Sequence, residues 1–243
     1  MSKTDNRHSD RDPGFHRVVT VGSKTCGFNL PCVIIAEAGV SHFGDMEKAR
    51  RLVDMAVDAK ADFIKFQHFK TELLIGLSSP DWRERLKGKE LTDDEMRELN
   101  QYCTDSGIKF FCTAHDQASL ELISELDPPA FKIGSGELNN WPFLKSVAAL
   151  GKPVILSTGM YRIDDIRKAL DVISSAGCHD LIVLHCVTRY PTPPDAVNLR
   201  SINAIREIFA GPVGYSDHTA NADASLAAVA LGACMIEKHI TLD

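Results

Sequence analysis

From Pro31 onward the chain repeats one pattern. A short apolar run rich in β-branched residues is followed by a polar turn, then by an amphipathic stretch of roughly nine to fifteen residues. The apolar runs predict eight strands: Val33–Ala36, Phe63–Phe66, Lys109–Cys112, Ala130–Ile133, Val154–Leu156, Leu181–Leu184, Pro212–Tyr215 and Met235–Glu237. Seven helices are predicted between them, over Asp45–Ala59, Thr92–Ser106, Ala118–Leu126, Pro142–Leu150, Asp164–Ser175, Leu199–Phe209 and Ala222–Leu231. In the first, Met46, Ala49, Leu52, Val53, Ala56 and Val57 form one stripe of 3.6-residue period. The second opens on Thr92-Asp93-Asp94-Glu95, a capping box, and Gly107 suits its end. Pro142 stands at a first helical position, where its missing N–H costs nothing. Strands that alternate with helices predict a parallel sheet. Eight of them at this length predict a closed barrel, the α/β class (β/α)8 TIM barrel.

The ends depart from the rhythm. Residues Phe15–Leu30 predict a β-hairpin around Gly22-Ser23, placed to cap the bottom of the barrel. Met1–Gly14 is polar and charged and has no apolar core of a signal peptide, so it reads as a loose, disordered tail before a single barrel domain over 15–243. Lys70–Leu91 reads as a loop. The sequence stops at Asp243, directly after the eighth strand, and the reading expects no final helix.

Composition narrows the function classes. The 243 residues hold 33 acidic and 27 basic side chains, net −6, with 44% apolar and 25% charged residues, values of an ordinary globular protein. No apolar run approaches the roughly 18 residues that span a bilayer, and the acidic balance leaves no footprint for nucleic acid. The seven cysteines (Cys26, Cys32, Cys103, Cys112, Cys178, Cys186 and Cys234) are odd in number, form no CxxC pair and sit mostly in apolar runs. They predict reduced, buried thiols in a cytoplasmic protein.

Barrel enzymes carry their chemistry at the C-terminal ends of the strands. There the sequence places Glu37 and His42, Lys65 and Gln67, Thr113 and His115, then Lys132 with Gly134-Ser135-Gly136-Glu137. Ser157-Thr158-Gly159 follows, then His185 with Thr188, Arg189 and Tyr190, then Ser216-Asp217-His218 and Glu237-Lys238-His239. Any one of these reads as a satisfied polar residue at a strand end. Lys65 and Lys132 stand out because each lies inside an apolar run, where an unpaired ammonium is costly, and a bound anion would satisfy both. The two glycine-flanked turns offer backbone and hydroxyl donors suited to phosphate or carboxylate oxygens. His218 and His239 end neighbouring strands, about 4.8 Å apart, with Glu37 next round the ring. Two imidazoles with oxygen ligands suit Mn²⁺, Fe²⁺, Zn²⁺ or Co²⁺.

Read in order, these residues form longer strings: Ile35-Ala36-Glu37-Ala38-Gly39-Val40-Ser41-His42, Lys65-Phe66-Gln67, Lys132-Ile133-Gly134-Ser135-Gly136-Glu137 and Ser157-Thr158-Gly159-Met160. His185-Cys186-Val187-Thr188-Arg189-Tyr190-Pro191, Gly214-Tyr215-Ser216-Asp217-His218-Thr219 and Glu237-Lys238-His239-Ile240-Thr241 complete the series. Over roughly Phe15–Asp243 the chain resembles the sialic acid synthase family, which includes N-acetylneuraminate, legionaminate and pseudaminate synthases and related spore-coat polysaccharide proteins. The resemblance implies a metal-dependent condensation of phosphoenolpyruvate with an open-chain N-acetylated amino sugar, N-acetylmannosamine or a 6-deoxy diamino hexose. The product is a nine-carbon 2-keto acid, and phosphate leaves. It implies that Lys65 and Lys132 neutralise phosphoenolpyruvate, with Thr113, Ser135, Ser157, Thr188 and Ser216 beside them. Glu37 is the expected general acid and base. Gln67, Glu137 and Tyr190 are expected on the sugar side, and His218 and His239 on a divalent metal, Mn²⁺ first with Mg²⁺ or Co²⁺ as alternatives. Thr188 stands where the family commonly has Asn or Ser, and Ala114-His115 replaces a more usual Pro-Phe.

The family's small antifreeze-like C-terminal domain, which reaches into a partner subunit's site, is expected to be absent here. A homodimer or a separate antifreeze-like chain would then be the partner. Two other readings stand beside the synthase. One is a non-catalytic or split barrel that binds phosphoenolpyruvate or metal. The other is a hydrolase or lyase on the same barrel, against which the paired lysines argue.

Overall fold

The structure, a computed structural model, describes residues 14–242; the tail expected over Met1–Gly14 lies outside them except for Gly14. A two-stranded antiparallel hairpin, β1 (Val18–Val21) and β2 (Lys24–Gly27), precedes the barrel. The barrel strands are β3 (Val33–Gly39), β4 (Phe63–His68), β5 (Lys109–Ala114), β6 (Phe131–Ile133), β7 (Val154–Ser157), β8 (Leu181–Cys186), β9 (Val213–Asp217) and β10 (Met235–His239). They close in sequence order, with β10 returning to pair with β3, and every barrel pairing is parallel.

Helices cover the outside: α1 (Met46–Asp58), α4 (Asp93–Asp105), α5 (Gln117–Glu125), α6 (Trp141–Ala148), α7 (Ile163–Ser175), α8 (Ser201–Arg206) and α9 (Asp223–Ala230). All seven fall within the predicted stretches or within a residue of them. Asp45 caps α1 by accepting from the Glu47 and Lys48 N–H groups, and Thr92 and Glu95 form the expected box on α4. The segment read as a loop holds two further helices, α2 (Thr71–Leu74) and α3 (Pro80–Lys87). They were hidden because α3 buries no residue and so shows no apolar stripe. Ion pairs from Lys87 to Glu72 and Glu90 and a bond from Arg83 Nη1 to the Ile75 carbonyl hold them instead. Among the described residues no helix is long and apolar enough to cross a membrane.

The two-residue period of a strand divides the core into two shells. Ala36, Ala38, Ile64, Phe66, Phe110, Cys112, Leu156 and Val183 point outward and meet the helices. Val33, Ile35, Phe63, Phe111, Ile155, Ile182, Leu184 and Met235 point inward. Val19, Val21 and Cys26 of the hairpin join this inner cluster and are fully buried. The hairpin therefore plugs the N-terminal end of the barrel, as the sequence predicts. The strands also run further than their apolar runs, reaching Gly39, His68, Cys186, Asp217 and His239. Side-chain polarity changes there, but the backbone ladder continues, because every buried N–H and C=O still needs a partner.

The plug yields a stability prediction. Val21→Ala removes two methyl groups from a site without solvent contact and should cost on the order of 2 kcal/mol. Urea denaturation checks this; an unchanged midpoint would mean that the hairpin does not seal the barrel.

Candidate active site

Continuing the inward alternation one or two steps past the apolar layer brings Glu37, Lys65, Gln67, Thr113, Lys132, Ser157, Cys186, Ser216, Glu237 and His239 into the barrel mouth. Register fixes their neighbours. Glu37 lies opposite Lys65 and His239, Gln67 opposite Thr113, Thr113 opposite Lys132, and Ser216 opposite Cys186 and Glu237.

Four charged groups hold the floor. Lys65 Nζ lies 2.7 Å from Glu37 Oε2 and 3.7 Å from Glu237 Oε1, and donates to Thr113 Oγ1 at 3.0 Å. Lys132 Nζ lies 3.8 Å from Glu237 Oε2 and donates to Ser157 Oγ at 2.7 Å and the Ile133 carbonyl at 3.1 Å. Gln67 Nε2 donates to Glu37 Oε1 at 2.8 Å. The sequence reading gave both lysines to a bound anion; the structure shows that protein carboxylates and hydroxyls already satisfy them. Two ammonium and two carboxylate groups balance, which is what makes their burial tolerable. Burial works against the charge of Lys65, yet Glu237 and Glu37 outweigh it and hold the group above the ordinary lysine range. At Lys132 burial prevails over Glu237, with Lys65 adding to it, and the group falls below that range. Burial would raise Glu237, but Lys132, Lys65 and the two imidazoles hold it below the usual carboxylate range.

The donors expected on the following turns gather beside Lys132. The Gly159 N–H donates to Ser135 Oγ at 2.9 Å. A Cβ on Gly159 would stand 2.5 Å from Thr188 Oγ1, 2.9 Å from Cys186 Sγ and 3.0 Å from Ser135 Oγ, so only glycine leaves these three polar atoms room to converge. Gly39 does the same on the other wall, at φ +54°: its missing Cβ would touch Glu37 Oε1, Gln67 Nε2 and His239 Cε1.

His218 and His239 come together with ring centroids 5.3 Å apart, and Tyr190 lies against both at 4.1 and 5.6 Å. His218 Nδ1–H donates to the Val187 carbonyl at 2.7 Å, which leaves Nε2 with its lone pair. Burial, together with His239, holds His218 below the usual histidine range, against the Val187 carbonyl. A tautomer-fixed imidazole with a free ring nitrogen beside a second imidazole is the donor set a divalent cation takes. Among the described residues no group of three or more His, Cys, Asp or Glu side chains could hold a metal alone. A cation held by the pair would need water or substrate oxygens to complete its shell. Glu137 sits at the rim, accepting from Asn140 Nδ2 at 2.7 Å, with His115 Nδ1 3.9 Å away.

Two histidines of the strand-end series point elsewhere. His185 faces outward, donates to the Val197 carbonyl at 2.8 Å and stacks on Tyr215. His42 is fully buried against Phe66; its Nδ1 accepts from the Gly44 N–H at 3.0 Å and its Nε2 has no hydrogen-bond partner. Two central groups were missed as site residues, Glu237 and Cys186. Both were legible in the two-residue period, since Met235 and His239 flank Glu237, and Leu184 precedes Cys186, on the inward face.

Comparison with known proteins bears on this geometry. The profile of the NeuB family matches residues 52–243. The chain is 45% identical over 225 residues to an uncharacterised protein of Methanocaldococcus jannaschii, covering 93% of this chain and 66% of that one. It is 42% identical over 226 residues to the N,N'-diacetyllegionaminic acid synthase of Campylobacter jejuni, covering 87% and 68%. The crystal structure of N-acetylneuraminic acid synthetase from Leptospira borgpetersenii matches with a TM-score of 0.88 at 36% identity, over 94% of this chain and 80% of that one. The chain spans about two thirds of the length of the curated relatives named here.

His42 supplies a pH prediction. Burial pushes it down to about 4, with the Gly39 carbonyl, Asp45 and Glu95 acting in the opposite sense and Lys89 adding to burial. Between about pH 6.5 and 4 the unfolded chain therefore binds a proton that the folded chain refuses, and stability falls as pH drops through that window. In His42→Asn, which keeps an acceptor for the Gly44 N–H, the fall in urea midpoint from about pH 7 to 4 should shrink by the equivalent of 2–3 kcal/mol, on the order set by the shift. Identical slopes in both proteins would remove His42 from the acid response.

Proposed function

The chain belongs to the NeuB family, and on that footing we propose that it condenses phosphoenolpyruvate with the open-chain aldehyde of an N-acetylated amino sugar. The methylene carbon of phosphoenolpyruvate bonds to the aldehyde carbon, water adds at the carbon bearing the phosphate ester, and inorganic phosphate leaves. A nine-carbon 2-keto acid of the sialic acid class results. The observation that carries this reading is the convergence of Lys65 and Lys132, ringed by hydroxyls, beside the His218–His239 pair.

In this mechanism Lys65 and Lys132 neutralise the phosphate and carboxylate of phosphoenolpyruvate, with Thr113, Ser135, Ser157, Thr188 and Ser216 beside them. Glu37, bonded to Gln67 and Lys65, is the group placed to move a proton to the aldehyde oxygen or from the attacking water. Gln67, Glu137 and Tyr190 orient the sugar at the rim, where Tyr190 is 62% exposed. A divalent cation held by His218 and His239, Mn²⁺ first with Mg²⁺ or Co²⁺ as alternatives, would polarise the aldehyde as a Lewis acid. The odd number of cysteines without a CxxC pair suits a reducing, cytoplasmic setting.

Phosphate release from phosphoenolpyruvate, measured with Mn²⁺ across a panel including N-acetylmannosamine and 6-deoxy diamino hexoses, tests the reading. Release with one sugar alone is the expected outcome; no release with any of them, despite phosphoenolpyruvate binding, would favour a non-catalytic barrel. His239→Ala should abolish metal-dependent release, and activity retained in chelator-treated buffer would sink the metal assignment. Lys132→Ala should raise the KM for phosphoenolpyruvate on the order of tenfold or more, the worth of a charge-assisted hydrogen bond; an unchanged value would take Lys132 out of the anion site.

A further inference from the structure

One buried carboxylate has no task in this scheme. Glu237 is 5% exposed and lies between the two ammonium groups, with Oε1 3.7 Å from Lys65 Nζ and Oε2 3.8 Å from Lys132 Nζ. Neither approach is close. Each lysine makes shorter contacts elsewhere: Lys65 with Glu37 and Thr113, Lys132 with Ser157 and the Ile133 carbonyl. Glu237 itself accepts one long bond from Ser216 Oγ at 3.3 Å, and its Oε2 accepts none. A buried carboxylate ordinarily gathers several donors. Its position is nonetheless fixed, because Glu237 stands in register with Ser216 on one side and Ile35 on the other. Glu237 is also the sole carboxylate recorded in an ion pair with Lys132 among the described residues.

An anion that settles between Lys65 and Lys132 therefore meets a negative charge already there, and in a low-dielectric interior the two repel strongly. We propose that Glu237 is a resident counter-anion: it stands within 4 Å of both ammonium groups and competes with the phosphate-bearing ligand for them. The proposal rests on the reading of Lys65 and Lys132 as the anion clamp. Glu237 acts through the lysines and is a positioning residue. It balances their charge while the site is empty, loosens the grip on phosphate-bearing ligands, and favours departure of the phosphate product. A side chain of purely structural worth would do the opposite when removed, since a damaged site binds more weakly.

Direction of change is the test. The full chain is titrated calorimetrically in metal-free buffer with inorganic phosphate and with phosphoenolpyruvate, alongside Glu237→Gln, Glu237→Asp and Lys132→Ala. The Gln variant should bind inorganic phosphate about tenfold more tightly, the order expected for deleting one nearby like charge. The Asp variant keeps the balancing charge and so decides the matter if the Gln variant does not fold; its shorter arm should give a smaller change of the same sign. Unchanged or weaker phosphate binding in the folded variants overturns the proposal. If the wild type binds, Lys132→Ala does not, and the Glu237 variants match the wild type, the role of Glu237 falls while the clamp stands. If the wild type binds neither ligand, clamp and counter-anion fall together.

Discussion

Four charges inside a closed barrel govern this molecule. Glu37, Lys65, Glu237 and Lys132 are each at most 5% exposed, and none sits in an environment that would accept it alone. Removing one partner of a buried pair leaves an uncompensated charge, at a cost of about 3–5 kcal/mol. The network therefore holds four strands, β3, β4, β6 and β10, to one register. A slip of one residue would turn a charge outward into the apolar shell beneath the helices. The same constraint leaves Glu237 loosely held, since its contacts are long and its Oε2 accepts no hydrogen bond.

Such a network survives only because the other end of the barrel is dry. The hairpin supplies Val19, Val21 and Cys26 to an inner layer made otherwise of strand residues, with Phe63 and Phe111 in ring contact at 4.6 Å. That layer blocks water from below and gives the charges above it a low-dielectric floor, where both attraction and repulsion are strong. Each strand thus changes character along its length, apolar at the start and polar at the end. The hairpin is what allows the first half of the barrel to be apolar throughout.

The fold was legible because its signals are local. Apolar runs, the Thr92–Glu95 box and the stripe on α1 each follow from neighbouring residues, and all reappear in the structure. What escaped depends on contacts distant in sequence or on weak amphipathicity. Helix α3 buries nothing, so no stripe marked it. Lys65 and Lys132 read as unpaired because their partners come from other strands. Glu237 was read at the end of its strand but given no role, although Met235 and His239 bracket it at the period that lines the barrel. His42 and His185 were grouped with the site by proximity in sequence, while the loop turn at His42 and the outward phase of His185 carry them into packing.

The division between strand and loop also bears on specificity. Of the groups assigned to phosphoenolpyruvate, Ser135 and Thr188 stand on the connections after β6 and β8, and the other five, Lys65, Thr113, Lys132, Ser157 and Ser216, stand on strands and are buried. Their geometry is set by the ladder and tolerates little drift. Two of the groups assigned to the sugar, Glu137 and Tyr190, stand on those same connections, Glu137 buried and Tyr190 exposed, and neither residue is locked by register. A barrel built this way keeps one reaction while its rim changes. Similar chains are named for different sugars, N,N'-diacetyllegionaminic and N-acetylneuraminic acid. On the proposed assignment of Glu137 to the sugar, His115 is a position at which to seek the identity of the acceptor, because its Nδ1 lies 3.9 Å from that carboxylate and Ala114-His115 stands where the resemblance expects Pro-Phe.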